Sequence, residues 1–414
     1  MLYPLWLETA RQHADRPAVF DGATHATVTF RELEDSLALR PHAGSPVIAR
    51  GGSLSFFIDV LQAWRDGQPL VPLERDAPEP SLPEEMPANT ALVKFSPGAA
   101  GIPRAVFFSA AALVADAARI VEAMDLQTTR TNVAAISLAH SYGFSNVVLP
   151  LLLHGIPVHA LPVPFPHILE EACAAHDSVV VPAVPSMWRA WHRAGVLPGI
   201  RIATAISAGA PLALDLEQGV FSAAGLKIRN FYGASECGGI SLDTRCDPRT
   251  ESSDVGTPLP GVSVSVHESG RLLVRSNSTA IAYDHYRDGD ILGDNIYLTR
   301  DLGFLADQRV HITGHVGGAI NVAGRKISPW RVEQALLATG IATRVRVFGI
   351  PSHDPERVEE IAGIVELVSG ATLPELKQAA LHSLAGWELP RHWRVQPDES
   401  LWSLNLPALR RELL

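Results

Sequence analysis

The stretch Ser96-Pro97-Gly98-Ala99-Ala100-Gly101-Ile102-Pro103-Arg104 leaves its main chain almost uncovered, with two glycines and two alanines in succession. Consecutive exposed N–H groups of this kind can close around phosphate oxygens without help from any side chain. Glycine with proline is also what an ordinary hairpin loop contains, and both readings stand at this level. Two further clusters, Ser207-Ala208-Gly209-Ala210-Pro211 and Tyr232-Gly233-Ala234-Ser235-Glu236, each follow an apolar run. They bring hydroxyls, an aromatic ring and a carboxylate to the ends of what read as strands. Taken singly, Tyr232 is equally a core aromatic, Glu236 a helix-start carboxylate, Asp301 a turn former and His140 a satisfied structural histidine.

The elements around these residues alternate. Residues 91–95 and 105–108 read as strands flanking the glycine-rich turn, and Ser109 caps a helix over 110–124. From there strands at 132–136, 156–160, 178–181, 202–207 and 227–231 are separated by helices at 144–153, 168–175, 185–194 and 211–223. Such βα repetition predicts a parallel sheet covered by helices, with ligands outside the carboxyl ends of the strands. The N-terminal part also alternates, with a helix over 5–13, strands at 18–20 and 27–30 and a helix over 53–64. Residues 72–89, with Pro78, Pro80, Pro83 and Pro87 among acidic side chains, read as a solvated linker. From Gly256 short alternating strands predict a β-rich subdomain. Beyond residue 317 the pattern is again α+β, and Gly317-Gly318 is the expected hinge because two glycines can absorb a large backbone rotation. The fold class is therefore α/β: a large N-terminal domain of helix-covered sheets over 1–316, with a β-rich subdomain at about 256–316, and a small mobile α+β domain over 317–414.

Composition removes several classes of function. A chain of 414 residues exceeds what one core usually organises, so more than one domain is expected. A net charge of −10 with only four lysines provides no basic stripe for nucleic acid. No apolar run reaches the roughly 18 residues of a membrane span, and the first residues lack a basic signal-peptide start, so a cytoplasmic location is expected. Three cysteines without a CxxC pair support neither a disulfide framework nor a zinc site.

Taken together and in order, the clusters resemble motifs of the adenylate-forming superfamily, which comprises acyl- and aryl-CoA ligases, the adenylation domains of peptide synthetases, and luciferases. Thr29-Phe30-Arg31-Glu32-Leu33 looks like its early helix motif, residues 96–106 like its phosphate loop, and His140-Ser141-Tyr142-Gly143-Phe144 like its acyl-pocket motif. Tyr232-Gly233-Ala234-Ser235-Glu236 is similar to the adenine-stacking motif and Thr299-Arg300-Asp301-Leu302-Gly303 to the ribose-binding one. Gly324-Arg325-Lys326-Ile327-Ser328-Pro329, with Val332-Glu333, looks like the start of the C-terminal domain. The resemblance implies ATP and Mg2+, with CoA or a carrier protein's phosphopantetheine accepting a small carboxylic acid. It implies that Ser96, Gly98, Ala99, Ala100, Gly101, Ser207, Ala208, Gly209, Asn230, Tyr232, Gly233 and Asp301 bind nucleotide. His140, Ser141, Tyr142, Gly143, Ser207 and Gly233 would hold the acid. Glu236, as metal ligand, would act with Ser235 and His140 in catalysis.

The departures are specific. Ala99 and Ala100 replace hydroxyl residues of the family's phosphate loop, and Arg104 replaces its lysine. Gly314-His315 stands for glycine-arginine, and Gly317 occupies the usual acidic hinge position. The family's catalytic lysine belongs to a glycine-lysine pair near the C-terminus, where this chain has Leu406-Pro407, and no lysine follows Lys377. The phosphate loop arrives by Ser96, so part of the usual first subdomain is expected to be missing. A degenerate member that binds an acyl group or carrier protein, or one that performs only the thioester half-reaction, is the alternative expectation.

Overall fold

A computed structural model describes residues 1–52, 54–96, 104–287, 289–315, 320–322, 325–352, 359–404 and 406–413. The predicted alternation forms a nine-stranded sheet with edge-to-edge order Thr257–Pro258, Gly238–Leu242, Ile228–Ala234, Ile202–Ser207, Val179–Ala183, Thr131–Ala134, Val158–Ala160, Pro17–Asp21 and Ala26–Thr29. Its six central strands pair in parallel. Strands such as Val179–Ala183 are buried along their whole length, as expected where helices cover both faces. The chain leaves Thr131–Ala134 toward one side for Val158–Ala160 and returns on the other side as Val179–Ala183. Strand order therefore reverses there, and such a switch point leaves a crevice at the carboxyl ends.

A second sheet runs Ala282–Tyr283, Arg104–Ser109, Thr90–Ser96, Leu70–Leu73 and Val47–Arg50. Thr90–Ser96 and Arg104–Ser109 are antiparallel partners with Ser96 opposite Arg104, so the glycine-rich segment joins the two arms of a hairpin. The linker expectation is corrected at its start, because Pro72 lies within the buried strand Leu70–Leu73. That strand meets Thr90–Ser96 only at Leu70 opposite Leu92, which lets it accommodate a proline. The β-rich region is an antiparallel sheet of Ser263–Val266, Arg271–Arg275, Ile296–Ala306, Leu292–Gly293 and Arg309–His315. At the C-terminal end, helices Pro329–Ala338 and Leu373–Ala380 cover a sheet of Ala342–Pro351, Glu359–Leu367 and His392–Val395. Their apolar cluster, including Val332, Leu336, Val347, Val365 and Leu376, is separate from the main core. Among the described residues no helix is long and apolar enough to cross a membrane.

Two local results bear on the motifs. Thr29 and Glu32 form a capping box at the start of helix Phe30–Ala38, each side chain accepting from the other residue's N–H at 3.2 and 2.8 Å. The helix expected over 144–153 begins earlier, at Ser141, and carries a π-helical turn at Phe144–Val148 before continuing as Leu149–His154. Such turns insert an extra residue and re-aim side chains, often at functional sites.

Candidate active site

The strand Ile228–Ala234 runs three residues further than its apolar pattern suggests, so Tyr232, Gly233 and Ala234 lie within it. The chain turns through Ser235, Glu236 and Cys237 and returns antiparallel as Gly238–Leu242. Glu236 therefore belongs to a hairpin turn, which corrects its single-residue reading as a helix-start carboxylate. Gly238 has φ +71°, and a Cβ there would lie 2.2 Å from Asp116 Oδ1. Asp116 in turn accepts the Gly239 N–H at 3.0 Å, so the turn is clamped from the covering helix Ala110–Ala123.

Glu236 is held on both its parts. Its carbonyl accepts the Ala280 N–H at 2.8 Å, and Tyr283 Oη donates to its Oε1 at 3.1 Å. Burial pushes the Tyr283 phenol well above its ordinary pKa, with Glu236 adding to the rise, so it stays a proton donor. Arg104 lies over the ring of Tyr283, its guanidinium 3.3 Å from the ring centroid, and forms a buried ion pair with Asp290. The residue standing for the family's loop lysine is thus built into this support. Lys94, one of four lysines, is buried nearby over the rings of Phe108 and Phe144 at 4.9 and 5.9 Å. Burial pulls its ammonium down to about 8 against the opposing pull of Asp116 and Glu236.

A cavity of about 310 Å³ is lined by Gly209, Asn230, Tyr232, Asp301, Gly314 and Trp330 among others. It gathers residues from the nine-stranded sheet, the β-rich sheet and the helix Pro329–Ala338. Tyr232 Oη donates to Asp301 Oδ2 at 2.5 Å. Asp301 lies in strand Ile296–Ala306 and not in a turn, and its N–H is held by Thr299 Oγ1 at 3.1 Å. Burial, then the Asp301 carboxylate, raises the Tyr232 phenol well above its usual range and keeps it a donor.

A smaller cavity of about 80 Å³ adjoins the first and shares Gly209, Phe231 and Gly233 with it. His140, Ser141, Tyr142 and Ser235 contribute to its wall, and Ser141 Oγ donates to Ser235 Oγ at 3.1 Å. His140 Nδ1 accepts the Tyr142 N–H at 3.3 Å and so also caps the helix start. Its pKa is lowered by burial and then by Lys94. Gly143 is required sterically, since a Cβ would lie 1.9 Å from the Ser137 carbonyl oxygen.

The fold thus brings His140, Ser141, Tyr142, Ala208, Gly209, Asn230, Tyr232, Gly233, Ser235 and Asp301 to two adjoining cavities. Ser207 ends strand Ile202–Ser207 fully buried and lines neither of them. Gly98, Ala99, Ala100 and Gly101, with the rest of 97–103, lie outside the described residues, as do Gly317 and Gly318. Sequence reading missed Lys94, Tyr283 and Trp330. A lysine inside the apolar run 91–95 was a usable signal for the first; nothing local marks the other two, which reach the site from distant segments.

The family model for AMP-binding enzymes matches residues 54–283. A 2-succinylbenzoate–CoA ligase of Salmonella typhimurium is 28% identical over 173 residues, 41% of this chain and 36% of that protein. A 3,4-dihydroxybenzoate–[aryl-carrier protein] ligase of Bacillus anthracis is 24% identical over 252 residues, 59% of this chain and 56% of that one. The matched stretches thus span about half or less of these relatives' lengths. The o-succinylbenzoate CoA synthetase of Bacillus subtilis, solved with its acyl-adenylate intermediate, superposes with a TM-score of 0.83 at 17% identity, covering 99% of this chain and 97% of that one. The same enzyme solved with ATP and a magnesium ion gives 0.81 at 16% identity, covering 99% and 98%. With more than half of its residues matched by the family model and its architecture shared from end to end with such a synthetase, the chain belongs to the AMP-binding enzymes, the adenylate-forming superfamily that its motifs resemble.

Proposed function

We propose that this protein activates a small aromatic or other carboxylic acid with ATP as the acyl-adenylate and passes the acyl group to a thiol, that of CoA or of a carrier protein's phosphopantetheine. The observation that carries this is the pairing of cavities: an aromatic ring and a carboxylate, Tyr232 and Asp301, face one cavity that opens beside a second, smaller one. Tyr232 offers its face to adenine, and Asp301 has acceptor oxygens for the two ribose hydroxyls. The acid sits beside His140, Tyr142 and Gly233 so that its carboxylate oxygen meets the α-phosphorus in line. One bond forms between them as the bond to pyrophosphate breaks.

Mg2+ fits the donor set on this side of the site, because it is commonly held by one or two carboxylates plus substrate phosphates. Glu236 is that carboxylate, fixed by Tyr283, and the ion supplies charge neutralisation when bound. Ser235 stands between this turn and the acid pocket through its bond to Ser141. We further take 1–316 and 317–414 as two units hinged at Gly317-Gly318, a division supported by the separate C-terminal apolar cluster. Two tests address the whole scheme. AMP should raise the melting temperature by mass action, and an ATP–pyrophosphate exchange screen over aryl and aliphatic acids should find an acid that exchanges. No thermal shift with AMP or ATP at millimolar concentration would remove the nucleotide site.

A second reading is favoured by the C-terminal helix Leu406–Leu413, which begins at Leu406-Pro407 where the family carries glycine-lysine. Arg410, a cation of the same helix, donates to the Gly349 carbonyl at 2.6 Å and pairs with Glu359 at 3.0 Å. A protein so built performs mainly the thioester half-reaction, or binds acyl groups and carrier protein without adenylating.

A further inference from the structure

The larger cavity has a wall residue that the scheme above leaves without a task. Trp330 is the second residue of helix Pro329–Ala338, half-buried, and it lines the cavity. The helix turns its other side inward. Val332 and Leu336, one turn apart, belong to the C-terminal apolar cluster, and at about 100° per residue Trp330 stands roughly 200° around the axis from Val332, outside that cluster. The start of the helix is seated on strand Arg309–His315, where a Cβ on Gly314 would lie 3.1 Å from Ser328 Oγ, the atom that caps the helix. Ile312 and Gly314, two residues apart and so on one side of that strand, line the cavity together with the indole. Other side chains of the wall are already engaged. Asn230 Nδ2 donates to the Asp254 carbonyl at 3.3 Å, Tyr232 Oη donates to Asp301, and Phe231 packs in the main core against the ring of Tyr142. Ser252 adds one hydroxyl, and Pro211, Leu212 and Val255 add apolar surface.

We propose that Trp330 is a nucleotide-binding residue: the purine base that meets Tyr232 in this cavity also touches the Trp330 indole, so that one bound nucleoside joins the large domain to the C-terminal helix. A base is flat and has two faces, and aromatic side chains are the groups that hold it without regard to its edge. The cavity supplies two such rings from different parts of the chain, with apolar side chains around them and the Asp301 carboxylate for the ribose hydroxyls. An indole that takes no part in its own unit's apolar cluster gains its partner when a base fills the 310 Å³ beside it. This assignment rests on the nucleotide reading of the cavity and deepens it by adding a contact that lies in none of the motifs bordering the cavity.

The test titrates AMP into the full-length protein by calorimetry and follows tryptophan fluorescence in parallel. Trp330→Ala should weaken AMP binding about fivefold or more, and Trp330→Phe, which keeps a flat ring, should retain more of the affinity. Among the described residues Trp330 is the only one of the eight tryptophans that lines either cavity. Saturating AMP should therefore change the fluorescence of the native protein, and most of that change should be lost in Trp330→Phe at saturating AMP. The assignment is overturned if Trp330→Ala binds AMP as tightly as the native protein does; the indole would then serve the thiol acceptor or the packing alone. It is equally overturned if AMP binds the native protein without a fluorescence change, or if the change survives undiminished in Trp330→Phe. The fluorescence comparison decides even if Trp330→Ala fails to fold. AMP that binds the native protein and Trp330→Ala alike overturns only the role of Trp330, whereas a native protein that binds no AMP overturns the nucleotide site with it.

Discussion

Asp301 and Tyr232 come from different sheets and meet through one hydrogen bond of 2.5 Å, so the two residues proposed as the main nucleotide contacts are already joined. Removing the carboxylate removes charge-assisted bonds to the ribose, and Asp301→Ala should weaken AMP binding by about 1.5–3 kcal/mol, readable by calorimetry. Tyr232→Phe keeps the stacking face and loses the hydroxyl's contacts to Asp301 and Thr299, so its effect should be smaller. Equal AMP affinity in Asp301→Ala and the native protein would take Asp301 out of the site. At this scale the sequence was informative wherever the chemistry lies within a few consecutive residues. It was silent about Tyr283 and Trp330, which gain their meaning from neighbours far away in the chain.

The smaller cavity depends on one helix starting in one place. Gly143 allows its first turn to approach the Ser137 carbonyl, and Gly143→Ala should destabilise the protein by about 1–3 kcal/mol or more in urea unfolding. Gly199, where a Cβ meets nothing within 4 Å, is the control and should change stability little on substitution by alanine. A second device lies behind the larger cavity, which Leu212 helps to line. Arg249 and Glu217, both fully buried, pair at 2.8 Å, and Arg249 also donates to the carbonyl oxygens of Leu212 and Asp254. Glu217→Gln leaves that guanidinium buried without its counter-charge, at an expected cost of about 3–5 kcal/mol. Arg309, on the β-rich sheet, pairs with Asp243 at 2.6 Å and Asp254 at 2.8 Å, joining the two sheets.

The same junction sets part of the acid stability. Burial alone would raise the Asp243 carboxyl, but Lys227, Arg309 and Arg245 outweigh it and hold it at about 2. Since the folded value lies below the unfolded one, the native state keeps its charge where the unfolded chain takes up protons. The contribution, on the order of 2 kcal/mol, is complete above pH 4 and is lost as pH falls through 2. Asp243→Asn should therefore flatten the pH dependence of stability between pH 4 and 2, in denaturant titrations at stepped pH. An unchanged slope would place the stabilisation elsewhere.

Toward the C-terminal end of the chain, Trp330 reaches the larger cavity, and the helix Leu406–Leu413 stands where the resemblance leads one to expect a catalytic lysine. Leu409 of that helix is fully buried, and Arg410 is occupied. Loss of a preorganised cation at the α-phosphate typically costs on the order of 100- to 1,000-fold in rate. The native protein should therefore show slow pyrophosphate exchange yet form thioester from a supplied synthetic acyl-adenylate. Leu406→Gly with Pro407→Lys should raise exchange, provided the helix tolerates losing Leu406 from its apolar contacts. Rapid exchange in the native protein would mean that another group carries the charge.

The alternation of elements, the parallel core and the order of the motifs were legible along the chain, because these depend on local periodicity and on side chains adjacent in sequence. The sequence also singled out Tyr232, Glu236 and Asp301 as candidates, although Glu236 lies in a hairpin turn and Asp301 within a strand. Which candidates share a cavity followed from the folded chain, as with Ser207, sealed inside the sheet one residue before Ala208. The folded chain also shows Arg104 committed to Asp290 and Tyr283, Lys94 buried beside the turn, and Trp330 carried to the larger cavity. Each of these outcomes depends on burial and on partners that are close in space but distant along the chain, to which periodicity and residue spacing carry no information.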